Sequence, residues 1–74
     1  MTEFRDTNEL VLELRQQLGL TQEKLAAKLG VTVSTINRWE NGKTAPSPLG
    51  LKQIEEMLRQ MGEGGRSLLA KHFP

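Results

Sequence analysis

Ser34, Thr35, Asn37 and Arg38 gather hydroxyl, carboxamide and guanidinium groups within five residues, on the open side of what reads as a short helix. They belong to the stretch 22–41, QEKLAAKLGVTVSTINRWEN, which reads as two short amphipathic helices joined by a tight turn at Gly30. Two helices crossing at a glycine turn, the second presenting hydrogen-bonding side chains outward, form the geometry that carries a probe into the major groove of DNA.

Other chemistries find little footing. The paired carboxylates Glu55 and Glu56 fall on a solvent face, and the glycines between 62 and 65 follow no strand, as a nucleotide loop requires. A chain of 74 residues has a thin core and little room for a concave pocket, so an enzyme is not expected. His72 stands without a second histidine or any cysteine, which leaves no expected metal site and no cofactor. No apolar run approaches the length of a membrane span, and the opening MTEFRDTNE is too acidic and polar for a signal peptide. Together with the absence of cysteine, this makes the cytoplasm the expected location.

The net charge of +1 excludes a polybasic nucleic-acid tail, yet the charge is unevenly spread. Residues 1–20 carry Glu3, Asp6, Glu9 and Glu13 against Arg5 and Arg15, net −2. Residues 21–45 carry Lys24, Lys28, Arg38 and Lys43 against Glu23 and Glu40, net +2. The excess has the right sign for phosphate contacts, but its small size points to weak binding by one copy and hence to a dimer.

The elements that must position these groups follow from periodicity and caps. Residues 1–7 read as an arm, with Asp6 and Glu9 at capping-box spacing before a helix whose face is Leu10, Val11, Leu14 and Leu18. Thr21 caps a second helix with Leu25, Ala26 and Leu29 inward; Gly30 and Val31 make the turn. Thr32 caps a third, with Ile36 and Trp39 inward, ending at Asn41 and Gly42. Ser47-Pro48 starts a fourth, carrying Leu51, Ile54, Leu58 and Met61 inward with Met57 beside them. Gly62 to Gly65 breaks it, and residues 66–73 allow a short fifth helix. The expected fold is therefore all-α, a four- to five-helix bundle with a binding domain over 8–61 and a tail over 62–74.

The pattern Leu18-Gly19-Leu20-Thr21-Gln22, Leu25-Ala26, Leu29-Gly30-Val31-Thr32, Thr35-Ile36, Trp39-Glu40 and Asn41-Gly42-Lys43 resembles the helix-turn-helix domain of the phage repressor/Cro family, also called the XRE family. The resemblance implies a lambda-repressor-like fold and a sequence-specific DNA-binding regulator, a repressor acting as a homodimer on double-stranded DNA. It places the helix over 33–41 in the major groove, with Val33, Ser34, Asn37 and Arg38 nearest the bases. Arg38 has a fork suited to guanine, Asn37 suits an adenine edge or a phosphate, and Val33 can make only an apolar contact. Family members often have a longer polar residue at the Val33 position, so direct readout is expected to be sparse. Gln22, Thr32, Thr35, Asn41 and Lys43 take the positions of phosphate contacts. Arg15 and Glu40 occupy positions that pair as a partly buried ion pair in the family, where removing one partner costs roughly 3–5 kcal/mol.

Several of these residues also have plainer readings. Trp39 is expected in the core rather than stacked on a base, and Met57 and Met61 either fill the core or edge a partner surface. Lys24 and Lys28 read as solvated charges. A second functional reading makes the chain a protein-interaction or antitoxin-type module on the same scaffold. Leu68, Leu69 and Phe73 motivate it, because a tail carrying them would need a protein partner.

Overall fold

Thr7, Leu10, Val11 and Leu14 are all essentially removed from solvent, and this stripe at helical spacing sets the first helix. The computed structural model describes residues 4–72, the first three of these by backbone alone. Helix α1 runs over Phe4–Leu18, α2 over Gln22–Leu29, α3 over Val33–Glu40, α4 over Pro48–Arg59 and α5 over Glu63–His72. The described residues contain helices and no strand, so the fold is all-α.

The first helix starts earlier than its caps suggest. Residues 4–7 are helical rather than an arm, and Asp6 lies inside α1 instead of capping it. Thr7 explains the difference: buried at helical spacing before Leu10 and Val11, it extends the stripe by one turn.

Three helices end the same way. Leu20 N–H donates to the Arg15 carbonyl at 3.0 Å, Val31 N–H to Ala26 at 3.0 Å and Lys43 N–H to Arg38 at 2.9 Å, each bond folding the chain back across the last helical turn. At the turn between α2 and α3 this requires a left-handed residue, and Gly30 supplies it at φ 70°, ψ 32° without steric cost. Each next helix then starts on a hydroxyl cap. Thr21 accepts from Lys24 N–H at 3.1 Å, Thr32 from Thr35 N–H at 3.1 Å and Ser47 from Gly50 N–H at 3.1 Å.

The core joins all five helices. Leu25, Ala26, Leu29, Ile36, Trp39, Ile54 and Leu58 close on the α1 stripe, with Leu51, Met57 and Met61 packed partly buried at its edge. Gly50 is buried beside Trp39 and Pro46, where a Cβ would stand about 3.5 Å from each.

The C-terminal segment forms the short fifth helix that the sequence allows, but it starts earlier than expected: α5 begins at Glu63, contains Gly64 and Gly65, and packs on both α1 and α4. Leu68 is 4% exposed within the common core, and Leu69 packs against it. Both leucines already have a partner surface, within the same chain, which removes the motive for an external one; Phe73 lies outside the described residues. The apolar burial of a leucine stabilises by about 1.5–3 kcal/mol, so α5 contributes to folding. At its end, the buried His72 ring sits with Nε2 3.1 Å from Glu13 Oε1 on α1, and Lys71 Nζ reaches the same oxygen at 3.1 Å.

Candidate nucleic-acid interface

Helix α3 divides cleanly by exposure. Ile36 and Trp39 are buried against the core, while Val33, Ser34, Asn37 and Arg38 all face out. Val33, 39% exposed, is one of two large apolar side chains that the described residues leave open to solvent. The four residues expected to meet bases therefore share one face, anchored from behind.

Two pairs on this face hold each other. Asn41 donates its side-chain amide to Asn37 Oδ1 at 2.9 Å, one turn along the helix. The Thr32 and Thr35 hydroxyls lie 2.9 Å apart. Two hydroxyls carry two protons and their mutual bond uses one, leaving the other to meet an acceptor from outside. Asn41 is the C-cap of α3, and Lys43, two residues on, is exposed. Gln22 opens α2 and is half-buried. The residues expected at phosphates thus flank the exposed face of α3 along the chain, Gln22 and Thr32 before it, Asn41 and Lys43 after it.

Behind the face runs a hydrogen-bonded chain across three helices. Arg15 on α1 grips the Glu40 carboxylate with Nε to Oε2 at 2.7 Å and its second terminal nitrogen to Oε1 at 3.1 Å, a two-point contact. Its remaining terminal nitrogen donates to the Leu20 carbonyl at 3.3 Å, tying in the loop after α1. Gln22 Nε2 donates to Glu40 Oε1 at 3.0 Å. The Arg15 side chain is 23% exposed and that of Glu40 8%, so the pair is shielded without being sealed.

The electrostatics follow from this arrangement. Burial pushes the Glu40 carboxyl up, but the hydrogen bonds from Arg15 and Gln22 and the Arg15 charge outweigh it, and the group ends below the usual carboxylate range. Its hydrogen bond to Glu40 holds the Arg15 guanidinium above its ordinary value.

Asn8 is part of the same cluster and carries no signal in the sequence. Its side-chain amide donates to the Glu40 carbonyl at 3.3 Å, bridging α1 to the end of α3, and its Oδ1 is buried with no hydrogen-bond partner among the described residues. A lone asparagine on a helix reads as surface; only the packing of α3 across α1 makes it internal.

Comparison with known proteins identifies the scaffold that carries these residues. A family model described as helix-turn-helix matches residues 11–60. An uncharacterized HTH-type transcriptional regulator of Methanothermobacter thermautotrophicus is 53% identical over 49 residues, covering 66% of this chain and 71% of the relative. The HTH-type transcriptional activator BcrR of Enterococcus faecalis is 43% identical over 49 residues, 66% of this chain but only 24% of BcrR. The type II methyltransferase M1.ScrFI of Lactococcus lactis subsp. cremoris is 42% identical over 48 residues, 61% of this chain and 12% of the enzyme. No solved structure matches the chain.

Proposed function

The chain belongs to the Cro/C1-type helix-turn-helix family, and from that membership we propose that it is a DNA-binding transcription regulator that lays α3 in the major groove. The observation that carries the reading is the outward face of α3: Val33, Ser34, Asn37 and Arg38 are exposed together while Ile36 and Trp39 fix the helix from behind. Arg38 reads guanine, Asn37 contributes a second polar contact, Ser34 is permissive and Val33 meets a thymine methyl. Gln22, Thr32, Thr35, Asn41 and Lys43 hold phosphates on either side. The likeness to the methyltransferase covers 12% of that enzyme and carries no argument for methyl transfer.

The finer reading is a homodimeric repressor on a short inverted repeat, each copy reading one half-site a helical turn from the other. Two facts favour pairing: a net charge of only +1, and Leu49, 69% exposed at the start of α4 beside Lys28, Leu29 and Met57. A repressor works by occupancy and needs no further surface. BcrR, named an activator, leaves the sign of regulation to experiment.

Selection of bound sequences from a random DNA pool tests the proposal. A recovered site with two-fold symmetry and half-sites about one turn apart supports it. Recovery of no sequence, with binding equally indifferent to Arg38→Ala and Asn37→Ala, overturns it. A reporter promoter holding the recovered site then distinguishes repression from activation.

A further inference from the structure

The carboxylate of Glu40 is shared between a structural partner and one at the proposed interface. Arg15 alone satisfies both oxygens, taking Oε2 at 2.7 Å and Oε1 at 3.1 Å. The bond from Gln22 Nε2 to Oε1 at 3.0 Å is therefore additional to what the ion pair needs. It also fixes which way the carboxamide points. An ionised carboxylate only accepts, so the amine end of Gln22 must face Glu40 and its Oε1 must face away.

We infer that Glu40 is a positioning residue for a DNA phosphate contact made by Gln22. A carboxamide nitrogen carries two protons, and Glu40 takes one. The other remains on a half-buried side chain at the first position of α2, held ready for the oxygen of a phosphodiester. Glutamine is among the side chains with most rotamer freedom to lose, so an amide already held in one orientation binds at a smaller entropic cost.

Arg15 completes the device. A bare carboxylate beside the DNA backbone repels it, whereas Glu40 paired with Arg15 offers an acceptor to Gln22 without presenting net negative charge. The three residues come from α1, α2 and α3, so the aim of the Gln22 amide is tied to the angle between the two helices of the motif. This inference rests on the proposed DNA-binding function and adds a role for Glu40 that stability alone does not require.

The test replaces phosphates of the selected site one at a time by neutral methylphosphonate and measures affinity for the full chain. For the wild type, one replacement per half-site weakens binding about tenfold through loss of a hydrogen bond to a charged group, and Gln22→Ala abolishes that sensitivity. Glu40→Ala abolishes it too, while sensitivity at other phosphates persists. Arg15→Lys, which loosens the ion pair but leaves the carboxylate to Gln22, lowers the melting temperature yet keeps the sensitivity. If Glu40→Ala does not fold, Glu40→Asp retains the charge, draws the carboxylate back from Gln22 and is read in the same way.

Glu40 variants that weaken binding evenly at every phosphate, or that keep the Gln22-dependent sensitivity, overturn the inference and leave the regulator reading intact. So does a wild type with no phosphate whose effect depends on Gln22. Absence of DNA binding by the wild type overturns the regulator reading and this inference with it.

Discussion

Gly65 on α5 lies so close to α4 that a Cβ added to it would fall onto the carbonyl oxygen of Leu58. The obstacle is backbone, with Met61 beside it, so neither can move aside cheaply. Gly65→Ala must push α5 away and is expected to destabilise the fold by at least about 1–3 kcal/mol, the usual cost of overpacking. Its neighbour gives the opposite sign. A Cβ at Gly64 meets only the end of the Gln17 side chain, which can rotate, and alanine gains about 0.5–1 kcal/mol over glycine within a helix. Urea unfolding of the two variants should move the midpoint in opposite directions. Equal shifts would mean that the α4–α5 approach is looser than described.

Leu68→Ala should cost about 2–5 kcal/mol, as for other buried leucines, because it opens a cavity where α5 meets the core. In a domain this small that is a large share of the total stability. Removing residues 63–74 should leave a chain that unfolds below the melting temperature of the full protein, visible by circular dichroism at 222 nm. A truncated chain melting with the full one would show that α5 is dispensable.

That segment also shows where the sequence stops being readable. The helix-turn-helix was legible because each of its devices is local: a hydroxyl cap three residues before the amide it binds, a glycine after Leu29, apolar side chains at i and i+3 in Ile36 and Trp39. The Gly64-Gly65 pair read as a breaker by the same local logic. In the fold it is a contact, since a glycine helix surface lets α5 approach the Leu58 carbonyl, and nothing near residue 65 in sequence announces a partner seven residues earlier on another helix. Thr7 and Asn8 were hidden for a related reason: Thr7 continues the α1 stripe without an apolar side chain to announce it, and Asn8 is drawn in by the end of α3, whose Glu40 carbonyl takes its amide at 3.3 Å. On α3, exposure of Asn37 and Arg38 followed from periodicity, while the Asn37–Asn41 and Thr32–Thr35 pairings depend on side-chain rotamers that no sequence pattern sets.

Acid should loosen the fold at two places for the same reason. Burial raises the Glu13 carboxyl, but hydrogen bonds from His72 and Lys71 and their charges bring it net below its ordinary value of 4.5, as Arg15 and Gln22 do for Glu40. A carboxyl whose folded value is depressed adds stability above its unfolded value and loses it as pH falls through the folded one. Stability is therefore expected to hold down to about pH 4.5 and to decline below it. Glu40→Gln should be less stable at neutral pH and show a shallower acid decline, measured by urea titrations between pH 7 and pH 3. Parallel curves for the variant and the wild type would assign the acid loss elsewhere.

Leu49 offers a separate handle on the dimer. It is 69% exposed, so Leu49→Glu should change the folding stability by no more than about 0.5 kcal/mol. If two copies meet through this edge, the charge should abolish cooperative occupancy of a full inverted repeat while leaving weak binding to one half-site. Sedimentation on full-site and half-site DNA separates the two effects. Unchanged cooperativity would move the interface away from α4.

Arg38 decides how much sequence the protein reads. Its guanidinium is exposed and forms no ion pair or hydrogen bond among the described residues, so nothing on its own surface competes with a guanine edge. Arg38→Ala should weaken the preferred site by about 1–3 kcal/mol and flatten preference at one base pair. Arg38→Lys should keep the salt dependence, because the charge remains, yet lose most of that preference, because the two-pronged contact is gone. Competition between the selected site and single-base variants, at two salt concentrations, measures both. Had Arg38 been a phosphate contact instead, Arg38→Ala would weaken every sequence alike and lower the salt slope by about one. With Val33 apolar and Ser34 short, such a result would leave Asn37 as the main polar reader, and affinity would rest almost wholly on the backbone.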